Sequence, residues 1–160
     1  MTLFENRFCL DIVRTLAFLL ILTSTSARAD RNGDETAVRA VILGLEQSWN
    51  AADMDTYLAA YRQDESMSLT YGASVVQGWD ALATLFRTSY PDEARMGKFT
   101  INSLDVTLIE QHAAIVYGSF THVFIEETII GGFSHVLVRE RGRWKIQHER
   151  TSRAEVHATD

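Results

Sequence analysis

The chain contains 160 residues, of which 46% are hydrophobic and 22% are charged, and its formal net charge is −6. This length and composition are typical of a single globular domain. An acidic chain without a basic stripe is a poor candidate for nucleic-acid binding, so we expect no nucleic-acid partner. The single cysteine, Cys9, precedes the first predicted helix, so residues 30–160 contain neither a disulfide nor a thiol nucleophile.

Residues 1–29 have the pattern of a cleavable signal peptide. Two arginines precede or flank a short apolar run at residues 16–22, and residues 27–29 supply the small-x-small pattern that signal peptidase accepts. The apolar run is too short to span a bilayer. The alternatives are an uncleaved membrane anchor or a buried N-terminal helix. We expect cleavage before Asp30, a periplasmic or secreted protein, and no stable membrane anchor after cleavage.

Three helices are predicted in the first half of the remaining chain. Apolar residues at helical spacing between Val38 and Ala52 predict the first helix. Asp53 is well placed to cap a second, shorter helix. A third helix is predicted to begin near Trp79 and to end before Pro91. Between the second and third helices lie two short predicted β segments, residues 67–71 and 74–77.

From Lys98 onward, β-branched and aromatic residues predict a four-stranded antiparallel meander. The predicted strands are Phe99–Glu110, Ala113–Glu126, Phe133–Glu140 and Trp144–Thr151. Gly131-Gly132 and Arg141-Gly142 supply turn residues between the strands. Both alternating faces of residues 115–125 are apolar, which predicts that helices cover one face. A second subunit, or the sheet curling on itself, would cover the other face.

Two local motifs resemble those of a known superfamily. Asn50, Asp53 and Tyr57 form an N-x-x-D-x-x-x-Y helix–break–helix pattern. Residues 142–152 are similar to the last strand of the association domain of calcium/calmodulin-dependent protein kinase II, G-x-W-x-I-x-H-x-H-x-S, with Arg150 in place of the second histidine. With this order of elements, the chain resembles the nuclear transport factor 2-like superfamily, which includes SnoaL-like proteins.

The resemblance implies one domain over residues 30–160 with an α+β, cone-shaped fold. In this fold, three N-terminal helices pack on a curved, mainly antiparallel sheet. A deep, mostly apolar pocket between helices and sheet is then the default site for a small ligand, here a small apolar or aromatic molecule. The aromatic residues predicted to line this pocket, or alternatively to fill the core, are Trp49, Tyr57, Tyr61, Tyr71, Trp79 and Tyr117.

The resemblance also excludes one known activity. Aligning the shared Asn-x-x-Asp pattern places Leu45 and Leu69 where ketosteroid isomerase has its catalytic tyrosine and aspartate, and leucine cannot transfer a proton. The sequence contains no Gly-rich phosphate loop, Cys-x-x-Cys, His-Glu-x-x-His or Gly-x-Ser-x-Gly motif. We therefore expect no cofactor and no metal site. Among the carboxylates only Asp64, at the end of the second helix, is kept as a candidate.

His122, His135 and His148 lie on three successive predicted strands. The last predicted turn sets His135 opposite His148, and a turn centred on residues 128–129 would set His122 opposite His135. A turn three residues later would move His122 out of register. Such a row has three interpretations: general acid/base groups in the pocket, a three-histidine metal site, or ordinary histidines on an outer or dimer face. The resemblance places His135 at a pocket arginine of the kinase association domain, which favours His135.

Two functions from different classes remain open. The first is an exported domain that binds a small molecule. It would also be a cofactor-free lyase or isomerase if His135 shuttles a proton and Tyr61 donates a hydrogen bond. His148 would then be a further ligand-binding residue. The second is a non-catalytic binding or assembly module that dimerises through its sheet. We expect a homodimer under either function.

Overall fold

The computed structural model describes the backbone of residues 30–158 and the side chains of residues 30–154. The predicted signal peptide lies outside these residues and stays a prediction. Residues from Glu35 onward belong to one structural unit, whereas residues 30–34 belong to a preceding one. In the described part of the chain, no helix has both the length and the apolar character needed to cross a membrane.

Four helices are described, one more than the sequence predicts. They are α1 (residues 30–50), α2 (Met54–Ala59), α3 (Trp79–Ser89) and the single-turn α4 (Glu93–Met96). The apolar positions of α1 lie on one buried face, which gives the helix its contact with the core. These positions are Val38, Ile42, Leu45 and Trp49.

The break between α1 and α2 follows from two residues. Ala52 adopts a left-handed conformation with φ of 54°, which ends α1. Asp53 then caps α2, because its carboxylate accepts a hydrogen bond of 2.9 Å from the backbone N–H of Thr56. The predicted capping role of Asp53 is confirmed. This break turns α2 so that Tyr57 and Leu58 are buried.

Six strands form one sheet in the order β2-β1-β6-β5-β4-β3. Their ranges are β1 (Ser68–Tyr71), β2 (Ser74–Gln77), β3 (Lys98–Ile109), β4 (Ala113–Val123), β5 (Glu127–Glu140) and β6 (Arg143–Ala158). Strand β1 runs parallel to β6, and every other pair is antiparallel. The predicted α+β fold with helices on a mainly antiparallel sheet is confirmed. One face of the sheet and the helices α1–α3 contribute to a single hydrophobic core.

The predicted turn at Gly131-Gly132 is wrong, because both glycines lie inside β5. The β4–β5 turn occurs earlier and is closed by a 2.8 Å hydrogen bond from the N–H of Phe124 to the carbonyl of Glu127. A Cβ on Gly131 would lie 2.3 Å from the carbonyl oxygen of Ser152 and 2.6 Å from the ring of Phe120. Gly131 is therefore present to let the Phe120 ring lie directly on the strand.

This packing predicts that Gly131→Ala destabilises the protein. The added methyl group must displace backbone on one side and a buried ring on the other, which typically costs about 1–3 kcal/mol. Chemical denaturation followed by circular dichroism measures the change in the free energy of unfolding.

Gly132→Ala is the matched control. A Cβ on Gly132 meets no atom closer than 3.6 Å, so we expect a change within about 0.5 kcal/mol. Equal losses in both variants would contradict the close-approach explanation and would indicate a general intolerance of side chains in this part of β5.

Candidate active site

A cavity of about 450 Å³ lies between the helices and the inner face of the sheet. Its walls are mostly aliphatic and aromatic, and the polar side chains fall into two separate groups. The apolar and aromatic lining residues are Ile42, Leu45, Trp49, Tyr57, Leu69, Tyr71, Val76, Leu85, Phe86, Tyr90, Phe99, Ile101, Phe120, Phe124, Ile129 and Phe133. The polar lining residues are Ser74, Ser89, His122, His135, Glu149, Thr151 and Arg153.

The most unusual wall residue is Glu149, a carboxylate with only 5% of its surface exposed. Its inward direction depends on a β-bulge in β6. Leu137 pairs with Ile146, but the preceding residue of β5, Val136, pairs with His148, so Gln147 is an extra residue without a partner on β5. The bulge reverses the alternation of β6. Glu149 therefore faces the core, and His148 faces away from it.

Two tyrosine hydroxyls stand behind this carboxylate. The Tyr61 hydroxyl donates a 2.5 Å hydrogen bond to Oε2 of Glu149, and it lies 3.0 Å from the Tyr57 hydroxyl. A hydroxyl carries one proton, and a carboxylate is the stronger acceptor. With Glu149 ionised, Tyr57 therefore donates to Tyr61 and Tyr61 donates to Glu149.

His135 completes this group. It pairs with Glu149 across β5 and β6, and its Nε2 lies 3.7 Å from Oε2 of the carboxylate. The residue is 5% exposed. Its Nδ1 is buried and makes no hydrogen bond with any described residue. A buried ring nitrogen without a partner is costly.

The electrostatics of the group follow from burial and hydrogen bonding together. Burial raises the pKa of Glu149, but the neighbouring His135 ring and the hydrogen bond from Tyr61 outweigh it, so the pKa lies below its usual value. Burial, and then the negative charge of Glu149, raise the pKa values of Tyr57 and Tyr61 well above 10.0. The group thus combines an ionised carboxylate with two neutral phenols.

The matching family model is described as a SnoaL-like domain and covers residues 38–155. The chain belongs to this SnoaL-like family. Its fold is the nuclear transport factor 2-like fold, as the sequence motifs predicted. A comparison with curated protein sequences gives no significant match.

Several solved structures share this fold. An NTF-2-like protein of unknown function from Shewanella oneidensis MR-1 is 24% identical, with a TM-score of 0.70 over 73% of this chain and 97% of that one. A putative scytalone dehydratase from Novosphingobium aromaticivorans DSM 12444 is 11% identical, with a TM-score of 0.68 over 83% and 92% of the two chains. A hexachlorocyclohexane dehydrochlorinase of type 2 is 11% identical, with a TM-score of 0.68 over 83% of this chain and 93% of that one.

The SnoaL-like domain brings only some of the predicted site residues to its cavity. Trp49, Tyr57, Tyr71 and His135 line it. Tyr61 is fully buried behind Tyr57 and does not reach the cavity wall.

Besides Tyr61, three predicted pocket positions need correction. Tyr117 lies on the outer face of β4 with 50% exposure, because inward positions on β4 have even numbers. The bulge turns His148 outward, where its Nδ1 lies 2.8 Å from the hydroxyl of Ser68. Trp79 begins α3, and its indole N–H donates to the carbonyl of Leu58 rather than lining the cavity.

The predicted row of histidines does not exist. His122 pairs with Ile129, because the β4–β5 turn precedes the predicted one, and His135 pairs with Glu149 because of the bulge. His122 does line the cavity separately. Its Nε2 lies 2.6 Å from the carbonyl of Met96, so this nitrogen carries the proton, and burial lowers the pKa of the ring.

The two charged residues of the cavity, Glu149 and Arg153, were not predicted as site residues. Residues 147–150 are four consecutive polar residues, so their pattern fits either strand register and carries no signal for the bulge. Asp64 was the predicted candidate carboxylate, but it does not line the cavity. Its side chain instead accepts a hydrogen bond of 2.8 Å from the N–H of Ser66 in a turn. Among residues 30–154, no three His, Cys, Asp or Glu side chains group closely enough to hold a metal ion.

The hydrogen bond from Tyr61 predicts a pH-dependent loss of stability in Tyr61→Phe. The hydroxyl favours the ionised form of Glu149, and a hydrogen bond to a charged group contributes about 1.5–3 kcal/mol. Because folding lowers the pKa of Glu149, this contribution is complete above the usual glutamate pKa and disappears as the pH falls through the lowered value. Urea denaturation at several pH values measures it.

Tyr117→Phe provides the control, because this hydroxyl lies on the exposed outer face of the sheet. We expect less than about 0.5 kcal/mol of change at any pH. If the stability that Tyr61→Phe loses does not vary with pH, the coupling between the Tyr61 hydroxyl and the Glu149 carboxylate is contradicted.

Proposed function

We propose that the SnoaL-like domain binds a small apolar or aromatic molecule in its cavity and catalyses a proton transfer on it, as a cofactor-free lyase or isomerase. One observation carries this proposal. An ionised carboxylate, Glu149, lies 3.7 Å from an imidazole, His135, and both residues line a mostly apolar cavity. Buried acid/base groups that adjoin a concave apolar volume are the usual features of a site for proton transfer.

In the proposed reaction His135 is the base. Nε2–H is directed towards Glu149, and the proposed reaction requires the His135 ring to shift when the ligand binds, so that the buried, unpartnered Nδ1 meets the ligand. Nδ1 then accepts a proton from a carbon of the ligand, and the carboxylate stabilises the resulting imidazolium. Negative charge then develops on a ligand oxygen or on a leaving group. In an isomerase His135 returns the proton to another carbon of the ligand. In a lyase the proton leaves with the departing group.

Tyr57 is the proposed hydrogen-bond donor to this developing charge, since its side chain lines the cavity. For this role its single O–H must turn from the Tyr61 hydroxyl, 3.0 Å away, towards the ligand. Its raised pKa keeps the phenol neutral and able to donate at neutral pH. Tyr61, which the sequence analysis placed in this role, instead positions Glu149 from behind. Two structures of similar fold carry the names of a dehydratase and a dehydrochlorinase, which is consistent with a lyase. Their low identity supports the fold alone.

The experiment is proton exchange in D₂O with a panel of enolisable ring ketones, followed by mass spectrometry. We expect the wild-type protein to exchange deuterium into at least one member of the panel. General-base catalysis typically contributes about 10²–10⁴-fold, so His135→Gln should lose at least about 100-fold of that rate.

His148→Gln is the matched control, because this histidine lies on the opposite face of the same sheet, hydrogen-bonded to Ser68. Its exchange rate should equal that of the wild type. If both histidine variants retain full activity, His135 is not the base. If no panel member exchanges and none binds, the proposed activity on such ligands is wrong.

The outer face of the sheet favours a second function, assembly through a homodimer. Ile115, Tyr117 and Val123 are exposed on β4, at 37%, 50% and 39%. Apolar residues on one side of a strand are typical of an interaction surface. We propose that two copies pair through this face, which is compatible with catalysis and would also serve a non-catalytic module.

We further propose that the protein is exported, which rests on the sequence pattern of residues 1–29. Native mass spectrometry of protein purified from its own host tests export and pairing together. We expect twice the mass of a chain that begins at Asp30. Tyr117→Glu should give a monomer, because the interface would bury an unpaired charge, whereas Ile125→Glu, in the β4–β5 turn, should remain a dimer.

A monomeric wild-type protein at micromolar concentration would contradict the homodimer. A chain mass that includes residues 1–29 would contradict cleavage. These two outcomes are independent of the proton-transfer proposal.

A further inference from the structure

Arg153 is the other charged residue of the cavity wall, and it is exposed, whereas His135 is buried. Arg153 lies on β6 and its side chain is 44% exposed, so it marks the open end of the cavity. Its guanidinium carbon lies 5.6 Å from the centre of the Tyr71 ring, which is also a lining residue and 42% exposed. The ring restricts the guanidinium to the opening.

Arg153 is the only lysine or arginine among the described residues that line the cavity. Among the described side chains, its anionic contact is a 3.6 Å ion pair from an Nη atom to Oε2 of Glu127, and both side chains are more than one third exposed. An exposed pair at this distance is weak and screened by solvent. A guanidinium has five N–H donors in a planar fork, so donors remain for a second anion.

The positive charge of Arg153 reaches other wall residues at this end. Burial is the main reason for the lowered pKa of His122, and the Arg153 charge lowers it further. Burial raises the pKa of Tyr90, and the same Arg153 charge opposes that increase. The exposed end of the cavity thus carries the Arg153 guanidinium, which faces Glu127, whereas the buried end holds the negative Glu149.

Resting on the proposed function, we infer that the substrate is an organic anion, a carboxylic acid on an apolar ring system, whose carboxylate binds Arg153 at the opening. The ring lies against the aromatic walls, and its far edge reaches His135. The reverse orientation would bring a carboxylate against the buried Glu149, where two negative charges repel strongly. A planar fork suits a carboxylate because two parallel hydrogen bonds form at once.

The test uses two probes of the same ring, 1-naphthoate and 1-naphthalenemethanol, with binding measured by isothermal titration calorimetry at pH 7. The full chain is measured as wild type, Arg153→Gln and Arg150→Gln. Arg150 is an exposed arginine on the same strand that does not line the cavity, so it controls for the loss of one surface charge. Thermal melts verify that all three proteins are folded.

We expect the wild-type protein to bind 1-naphthoate more tightly than the neutral alcohol. Arg153→Gln should lower the affinity for 1-naphthoate at least tenfold and leave the affinity for the alcohol unchanged. Arg150→Gln should change neither affinity. Equal affinities for the two probes in the wild type, or an undiminished affinity for 1-naphthoate in Arg153→Gln, would overturn the inference and leave the proposed function intact. Binding of neither probe to the wild type would count against the cavity as a ligand site, and so against both.

Discussion

A β-bulge in β6 determines which chemistry the cavity contains. Gln147 has no partner on β5, so the alternation of inward and outward side chains reverses at this point. Strict alternation would direct His148 into the core and leave Glu149 outside. With the bulge, Glu149 reaches the Tyr61 hydroxyl, and the same parity later brings Arg153 to the cavity wall. Both charged groups of the cavity therefore depend on one extra residue in one strand.

At the buried end of the cavity, one polar group has hydrogen-bond partners and its neighbour lacks one among the described residues. Ionised Glu149 is costly to bury, and the short hydrogen bond from Tyr61 offsets part of that cost. The Nδ1 of His135, by contrast, is buried without a partner in the described chain, which typically costs about 1–3 kcal/mol. Proteins retain such local deficits mainly at functional sites, where a ligand supplies the missing contact. The contrast between these neighbours locates the proposed base at His135.

Sequence reasoning succeeded where local chemistry determines structure and failed where register determines it. The Asp53 cap and the Arg141-Gly142 hairpin turn are local features, and both were predicted correctly. Gly131 was wrongly predicted to be a turn residue. The sequence alone does not distinguish a glycine that makes room for a neighbouring ring from a glycine that forms a turn. The bulge at Gln147 has no compositional signal, so the inward direction of Glu149 could not be predicted.

The separation of the two charges along the cavity connects binding to chemistry. An anionic ligand held at Arg153 has its charge balanced at the opening, so the rest of the molecule enters the apolar walls as a nearly neutral body. Negative charge created when His135 removes a proton then appears at the buried end. There it meets the imidazolium and the Tyr57 hydroxyl rather than water. If Arg153 were instead placed beside Glu149, the pair would neutralise each other, and the carboxylate would stabilise the imidazolium less.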